Sequence, residues 1–142
     1  MSLEGRKIAV LAAGGYQELE LWYPVLRARE DGASVYVLSS DPAGVTSNLG
    51  YPLIPDAAGA DAADVDAVVL AGTVTGVPAY SDEQRAFVRA AHQGTARIYS
   101  VGTATTAVAS ILASIRGLAG WSFGVVTKKV PSVQGGSGLS RS

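Results

Sequence analysis

A doubly wound α/β sandwich, with a parallel sheet between two helical layers, is the fold that this sequence predicts. The first observation behind it is a set of short apolar runs, at 7–12 (KIAVLA), 34–39 (SVYVLS), 66–71 (DAVVLA) and 97–101 (RIYSV). They are continuous rather than alternating, as in strands covered on both faces. The second is that stretches of helical spacing separate them, at 18–31, 82–93 and 103–115. The third is the small-residue turn after a run, where an open parallel sheet collects its ligands.

The elements follow in order. The first run ends at Gly14 and Gly15, which with Tyr16 directly behind them do not make a dinucleotide fingerprint. From Gln17 the pattern turns helical. It brings Leu19, Trp22, Leu26 and Arg29 near one face, with Gly32 as the stop. Pro24 lies inside that helix, so the Glu20 carbonyl is expected to be left free and the helix bent. Trp22 and Tyr23 read as core aromatics. Residues 41–56 are rich in Pro, Gly, Ser and Asn, and suit an excursion at the sheet edge with strand-like pieces near 51–54. An Ala/Asp/Gly stretch at 57–64 reads as a weak helix. Ser81 and Gln84 have the spacing of a capping box at the start of the next helix. His92, two residues before Gly94, reads as a structural imidazole near a helix end. Residues 116–126 read as a further strand, and the Gly/Ser-rich end as a tail. The expected division is an α/β domain over 1–126 and a polar tail over 127–142.

Composition narrows the function. The 142 residues fit one domain, with 48% hydrophobic and 16% charged residues, as in a compact globule. A net charge of −1 offers no footprint for nucleic acid or an anionic membrane. No apolar run approaches bilayer length, and the N-terminus lacks the apolar segment of a signal peptide, so a cytoplasmic location is expected. The chain has no cysteine and one histidine. That excludes disulfides, thiolate ligands and thiol nucleophiles, and a histidine-built metal site within one chain. No metal or cofactor is expected.

The opening strand, Gly-Gly and YQELELWYPVLRAREDGASVYV together resemble the start of the ThiJ/PfpI family, often described as intracellular proteases or deglycases. YPLIPDAA, DVDAVVLAG and RGLAGW match further family segments in the same order, so the likeness spans most of residues 6–121. The resemblance implies a flavodoxin-like, class I glutamine amidotransferase-like fold. It also implies that an acid on the first helix, here Glu20, approaches a cysteine on a nucleophile elbow. The family's Pro-Gly-Gly oxyanion turn corresponds to Ala71, Gly72 and Thr73. Thr73 departs from that pattern, because a β-branched residue tolerates positive φ poorly. Family members continue beyond the Gly-Trp position with further strands and a closing helix, so the resemblance implies a C-terminally shortened sandwich with apolar surface left uncovered.

The elbow itself departs furthest. Where the family has Ile-Cys-His-Gly, this chain has Tyr99-Ser100-Val101-Gly102. Matching the glycines sets Ser100 at the cysteine, matching the downstream Ala109-Ser110 sets Gly102 there, and counting from Gly94 selects Val101. Two functions follow. One is a hydrolase or deglycase acting on a peptide, amide or small carbonyl compound. It would use Ser100, with Glu20 as proton partner and the amides of Gly72, Thr73, Val101 and Gly102 as oxyanion donors. A carboxylate is a poor base for a hydroxyl, however, and Ser100 reads better as a hydroxyl bonded to its own turn backbone. The favoured function is a non-catalytic binding or dimerisation module. Its candidate partners are a small molecule at the elbow and a second copy of the chain.

Overall fold

The computed structural model describes residues 2–56 and 61–113. Four parallel strands form the central sheet: β1 (Lys7–Ala12), β2 (Ser34–Ser39), β5 (Ala67–Leu70) and β6 (Arg97–Ser100), in the order β2-β1-β5-β6. The pairings Val10↔Val37, Val10↔Val69 and Val69↔Tyr99 fix the register across it. A two-stranded antiparallel hairpin, β3 (Val45–Thr46) and β4 (Pro52–Leu53), stands in the excursion after β2.

Helix α1 (Glu18–Glu30) covers one face of the sheet, over β1 and β2. Helices α2 (Asp82–Gln93) and α3 (Ala104–Ala113) cover the other. The two apolar layers separate by strand alternation. Ala9, Leu11, Val68, Leu70 and Ile98 face α2 and α3, whereas Val10, Ala12, Val35 and Val37 face α1. Fully buried Leu and Val side chains each contribute about 1.5–3 kcal/mol, so the two layers hold the sheet from both sides.

The stripe that α1 buries is Leu21, Val25 and Ala28, not the face shared by Leu19, Trp22, Leu26 and Arg29. Both stripes have i, i+3/i+4 spacing. Val25 and Leu21 pack onto the small and branched residues of β1 and β2, and Leu19 and Leu26 are left in solvent at 66% and 60% exposure. Trp22 is partly buried, while Tyr23 is exposed and is no core residue. The helix runs uninterrupted through Pro24. It stops where expected, at Gly32, whose φ of +96° suits glycine and whose N–H donates to the Arg29 carbonyl.

The capping box at α2 is complete: the Ser81 hydroxyl accepts the Gln84 N–H, and the Gln84 side chain accepts the Ser81 N–H. Gln84 goes further than its cap. Its Nε2 donates to the carbonyls of Ala12 (3.0 Å) and Leu38 (3.2 Å), tying the start of α2 to the carboxyl ends of β1 and β2.

One expectation is altered. Where the weak helix over 57–64 is described, it is a turn, closed by Asp64 N–H on the Asp61 carbonyl; residues 57–60 lie outside the described residues. The expected strand over 116–126 and the tail over 127–142 also lie outside them. No described helix is long and apolar enough to cross a membrane.

Candidate functional site at the sheet's carboxyl edge

The order β2-β1-β5-β6 reverses direction between β1 and β5, so a crevice opens beyond their carboxyl ends. Three turns meet there. Tyr16, after β1, is fully buried and bridges to Ser47 of the hairpin and to Thr73 after β5. Gln17 N–H donates to the Gly72 carbonyl (2.9 Å), joining the β1 and β5 turns. The Gln17 side chain then caps α1 by accepting the Glu20 N–H at 2.9 Å, which fixes where the first helical turn points.

That turn aims Glu20 into the crevice. Its Oε1 accepts the Gly72 N–H at 3.1 Å. Its carboxylate also lies directly over Gly102, the apex of the turn between β6 and α3. A Cβ built on Gly102 would lie 2.9 Å from Oε1 and 3.0 Å from Oε2. Gly102 has φ of +58° and is exposed. This is the sharp strand-to-helix turn expected of a nucleophile elbow, with no side chain at its apex.

Ser100 is elsewhere. It is fully buried and shares the face of β6 that Ile98 turns toward α2 and α3. Its hydroxyl lies 3.1 Å from the Thr105 hydroxyl, so its partner is a side chain one turn into α3 rather than its own backbone. Tyr99 and Val101 occupy the opposite face, with Glu20. The structure therefore brings together Glu20, Gly72 and Gly102, and leaves Ser100 behind the sheet.

The amides expected to stabilise an oxyanion are largely engaged. Gly72 N–H is held by Glu20, and Val101 N–H donates to the Leu70 carbonyl at 3.0 Å. Thr73 N–H donates to the Thr103 hydroxyl at 2.8 Å, and that hydroxyl donates to the Thr73 carbonyl at 3.1 Å. Thr103 thus clasps the β5 turn to the β6 turn, and the Thr73 hydroxyl reaches the carbonyls of Thr75 and Gly76 behind it. Of the four, Gly102 N–H alone donates to no described residue. No described non-glycine residue has positive φ, so Thr73 sits here without backbone strain.

Beneath the turn, the buried Tyr80 hydroxyl donates to the Ala71 carbonyl. Burial raises its pKa well above the ordinary phenol value, and the Glu20 charge adds to the rise, so it stays a neutral donor. His92 stands in the last turn of α2, two turns beyond the cap that touches the sheet. Sequence reading missed the Thr103 clasp and the Tyr80 support. Both depend on contacts between turns far apart in the chain, and no local spacing marks them.

A family model described as the DJ-1/PfpI family matches residues 6–130. Deglycase TK1284 of Thermococcus kodakarensis is 40% identical over 68 residues, which are 46% of this chain and 41% of the relative. The chain thus spans less than half the length of that curated protein. Among solved structures, a cysteine-to-alanine variant of the DJ-1 superfamily protein STM1931 from Salmonella typhimurium matches with a TM-score of 0.64 and 23% identity. That match covers 91% of this chain and 77% of the other. The DJ-1 superfamily protein Atu0886 from Agrobacterium tumefaciens matches with a TM-score of 0.63 and 22% identity, over 75% and 58% of the two chains. At those identities the structures speak for the fold, a flavodoxin-like parallel sheet flanked by helices. The sequence match over most of the chain settles the lineage: this protein belongs to the DJ-1/PfpI family.

Proposed function

We propose that the chain is a non-catalytic binding module that keeps the family's elbow without its nucleophile. The observation that carries this reading is the position facing the Glu20 carboxylate. In this reading Gly102 stands where the family has its cysteine, with Val101 before it and Thr103 in place of the histidine. A glycine there supplies no nucleophile, and no cysteine occurs anywhere in the 142 residues to replace it. Serine chemistry is not favoured either. Ser100 is fully buried, faces away from Glu20 and is paired with Thr105. A hydroxyl needs a base within hydrogen-bond reach, and the groups there are another hydroxyl and the core.

What remains is a small polar recess. Glu20 offers a carboxylate acceptor and Gly102 an amide donor at the start of α3. A compact ligand bearing one donor and one acceptor, such as a small amide or hydroxy-carbonyl compound, has the matching chemistry.

The test has two arms. Deglycase, amidase and peptidase assays on the full chain are expected to stay at background. Titration with acetamide and with hydroxyacetone, followed by amide NMR, is expected to move the Gly102 and Thr103 signals in wild type and not in Glu20→Ala. Turnover that Ser100→Ala abolishes would overturn the non-catalytic reading. Unmoved amides with both probes would remove the ligand half of it.

A further inference from the structure

A second cavity lies beyond the carboxyl end of β2, between the chain that leaves β4 and the first turns of α2. Its volume of about 560 Å³ is within the range of small-molecule sites. Glu20, Gly72 and Gly102 take no part in it. Leu38, Pro42, Ile54, Pro55 and Phe87 make its walls mostly apolar. Two charged side chains line it, Asp56 and Glu83, and both are acids.

The walls are tied to the fold. Asp56 is clamped to β2, where its N–H donates to the Val37 carbonyl at 2.9 Å and its Oδ2 accepts the Val37 N–H at 2.6 Å. Gln84 holds the α2 side through the carbonyls of Ala12 and Leu38 and the Ser81 N–H. Both carboxylates still have oxygens to spare. Arg29 approaches Asp56 only at 4.0 Å, on the oxygen that Val37 already holds. Asp56 Oδ1 and the Glu83 carboxylate have no hydrogen-bond partner among the described residues.

We infer that this cavity binds a small organic cation, a primary ammonium on a short aromatic or aliphatic body. The body covers the apolar walls, and the ammonium brings three donors and a charge to the two carboxylates. Phe87 stands four residues after Glu83 on the same face of α2, so a cation at Glu83 also lies near an aromatic ring. The helix end does not forbid a cation. It presents about half a positive charge, whereas Asp82 and Glu83 in the first turn bring two full negative ones. An anion meets the reverse situation, because no lysine or arginine lines the cavity. The carboxylates are solvent-exposed, so they select the charge of the ligand more than they set its affinity. The inference stands apart from the elbow: turnover there would leave it untouched.

Titration of the full chain with 2-phenylethylamine, followed by amide NMR, tests it. The Glu83 and Phe87 signals are expected to shift and saturate with a Kd of ~1 mM, ordinary for a ligand of about nine heavy atoms. The anion 3-phenylpropionate, with the same body, should bind at least ~10-fold more weakly. Glu83→Gln and Asp56→Asn should each weaken the amine about 3-fold, the scale of exposed ion pairs, and leave 2-phenylethanol unchanged. Asparagine keeps an acceptor for the Val37 N–H, and circular dichroism checks that both variants fold. Equal affinity for the amine and the propionate would overturn the inference, as would an amine affinity indifferent to both substitutions. So would Glu83 and Phe87 signals unmoved at ~20 mM amine, or shifts confined to Gly102 and Thr103, which would put the amine in the elbow recess.

Discussion

The carboxylate of Glu20 and the bare Cα of Gly102 pack so closely that a Cβ at residue 102 would lie 2.9 Å from the nearer carboxylate oxygen. That oxygen is the end of a flexible side chain and can give way, so a side chain can be put back. Gly102→Cys should fold at a cost of about 1–2 kcal/mol for leaving glycine at positive φ. Its thiol should be alkylated in the native state, because the apex is exposed. The nearby Glu20 charge raises the thiol pKa, so adding Glu20→Gln should lower it, as read from the pH dependence of the alkylation rate. Ser100→Cys should react only after unfolding. Equal native reactivity of the two thiols would contradict the placement of Ser100 behind the sheet.

The Thr103 clasp gives a second expectation. Its hydroxyl both accepts from and donates to the Thr73 backbone. Thr103→Val keeps the shape and removes both bonds, leaving the largely buried Thr73 N–H unpaired. A loss of about 1–3 kcal/mol in urea unfolding is expected, against little change for Thr103→Ser. Equal stability of the valine and serine variants would show that the clasp carries no weight.

These relationships mark where the sequence stops being legible. The strands could be read because buried parallel strands leave continuous apolar runs, and β1 and β2 lie where KIAVLA and SVYVLS place them. The inward face of α1 could not be read, because 18–30 carries two apolar stripes and only the small residues of β1 and β2 choose between them. The elbow carries a usable signal of its own. A lone glycine between a strand and a helix is itself the residue suited to positive φ, so Gly102 marks the apex without any matching to other sequences. Matching the glycines to the family's elbow sets Ser100 at the apex instead, one of the three registers that similarity leaves open. The contacts of Glu20 with Gly72, and of Thr73 with Thr103, span 52 and 30 residues and leave no local trace.

Glu18 supplies a pH dependence. The Ser47 hydroxyl bond, followed by the Leu49 amide at 2.8 Å, holds its pKa below the ordinary carboxylate value of 4.5. A lowered folded-state pKa means that the anchoring of the β3–β4 hairpin is fully present above 4.5 and is lost as pH falls through the folded value. Hydrogen exchange at the Leu49 amide should therefore gain a pH-linked opening as pH falls below 4.5, beyond the intrinsic trend. Glu18→Gln should show the intrinsic trend alone. An identical profile in both proteins would mean that the carboxylate does not hold the hairpin.

Gly72 is the tightest position in the site, and its constraint is not a dihedral one. Its φ is not positive, yet a Cβ there would meet the Val101 carbonyl oxygen at 2.6 Å, Glu20 Oε1 at 2.7 Å and Thr103 N at 2.9 Å. Two of those three atoms are backbone, on the turn that joins β6 to α3, and cannot swing aside. Gly72→Ala must therefore push the β5 and β6 turns apart, stretching the Thr73–Thr103 clasp and withdrawing the Gly72 N–H from Glu20. A destabilisation of about 1–3 kcal/mol or more is expected, the range for overpacking a filled site. Glu20→Ala in the same chain removes the side-chain clash and leaves the backbone ones, so it should not rescue the variant. Gly14→Ala is the matched control, since a Cβ there meets nothing within 4 Å and its φ is not positive. If Gly72→Ala unfolds in urea no earlier than Gly14→Ala, or if Glu20→Ala restores it, the turns are not in contact as described.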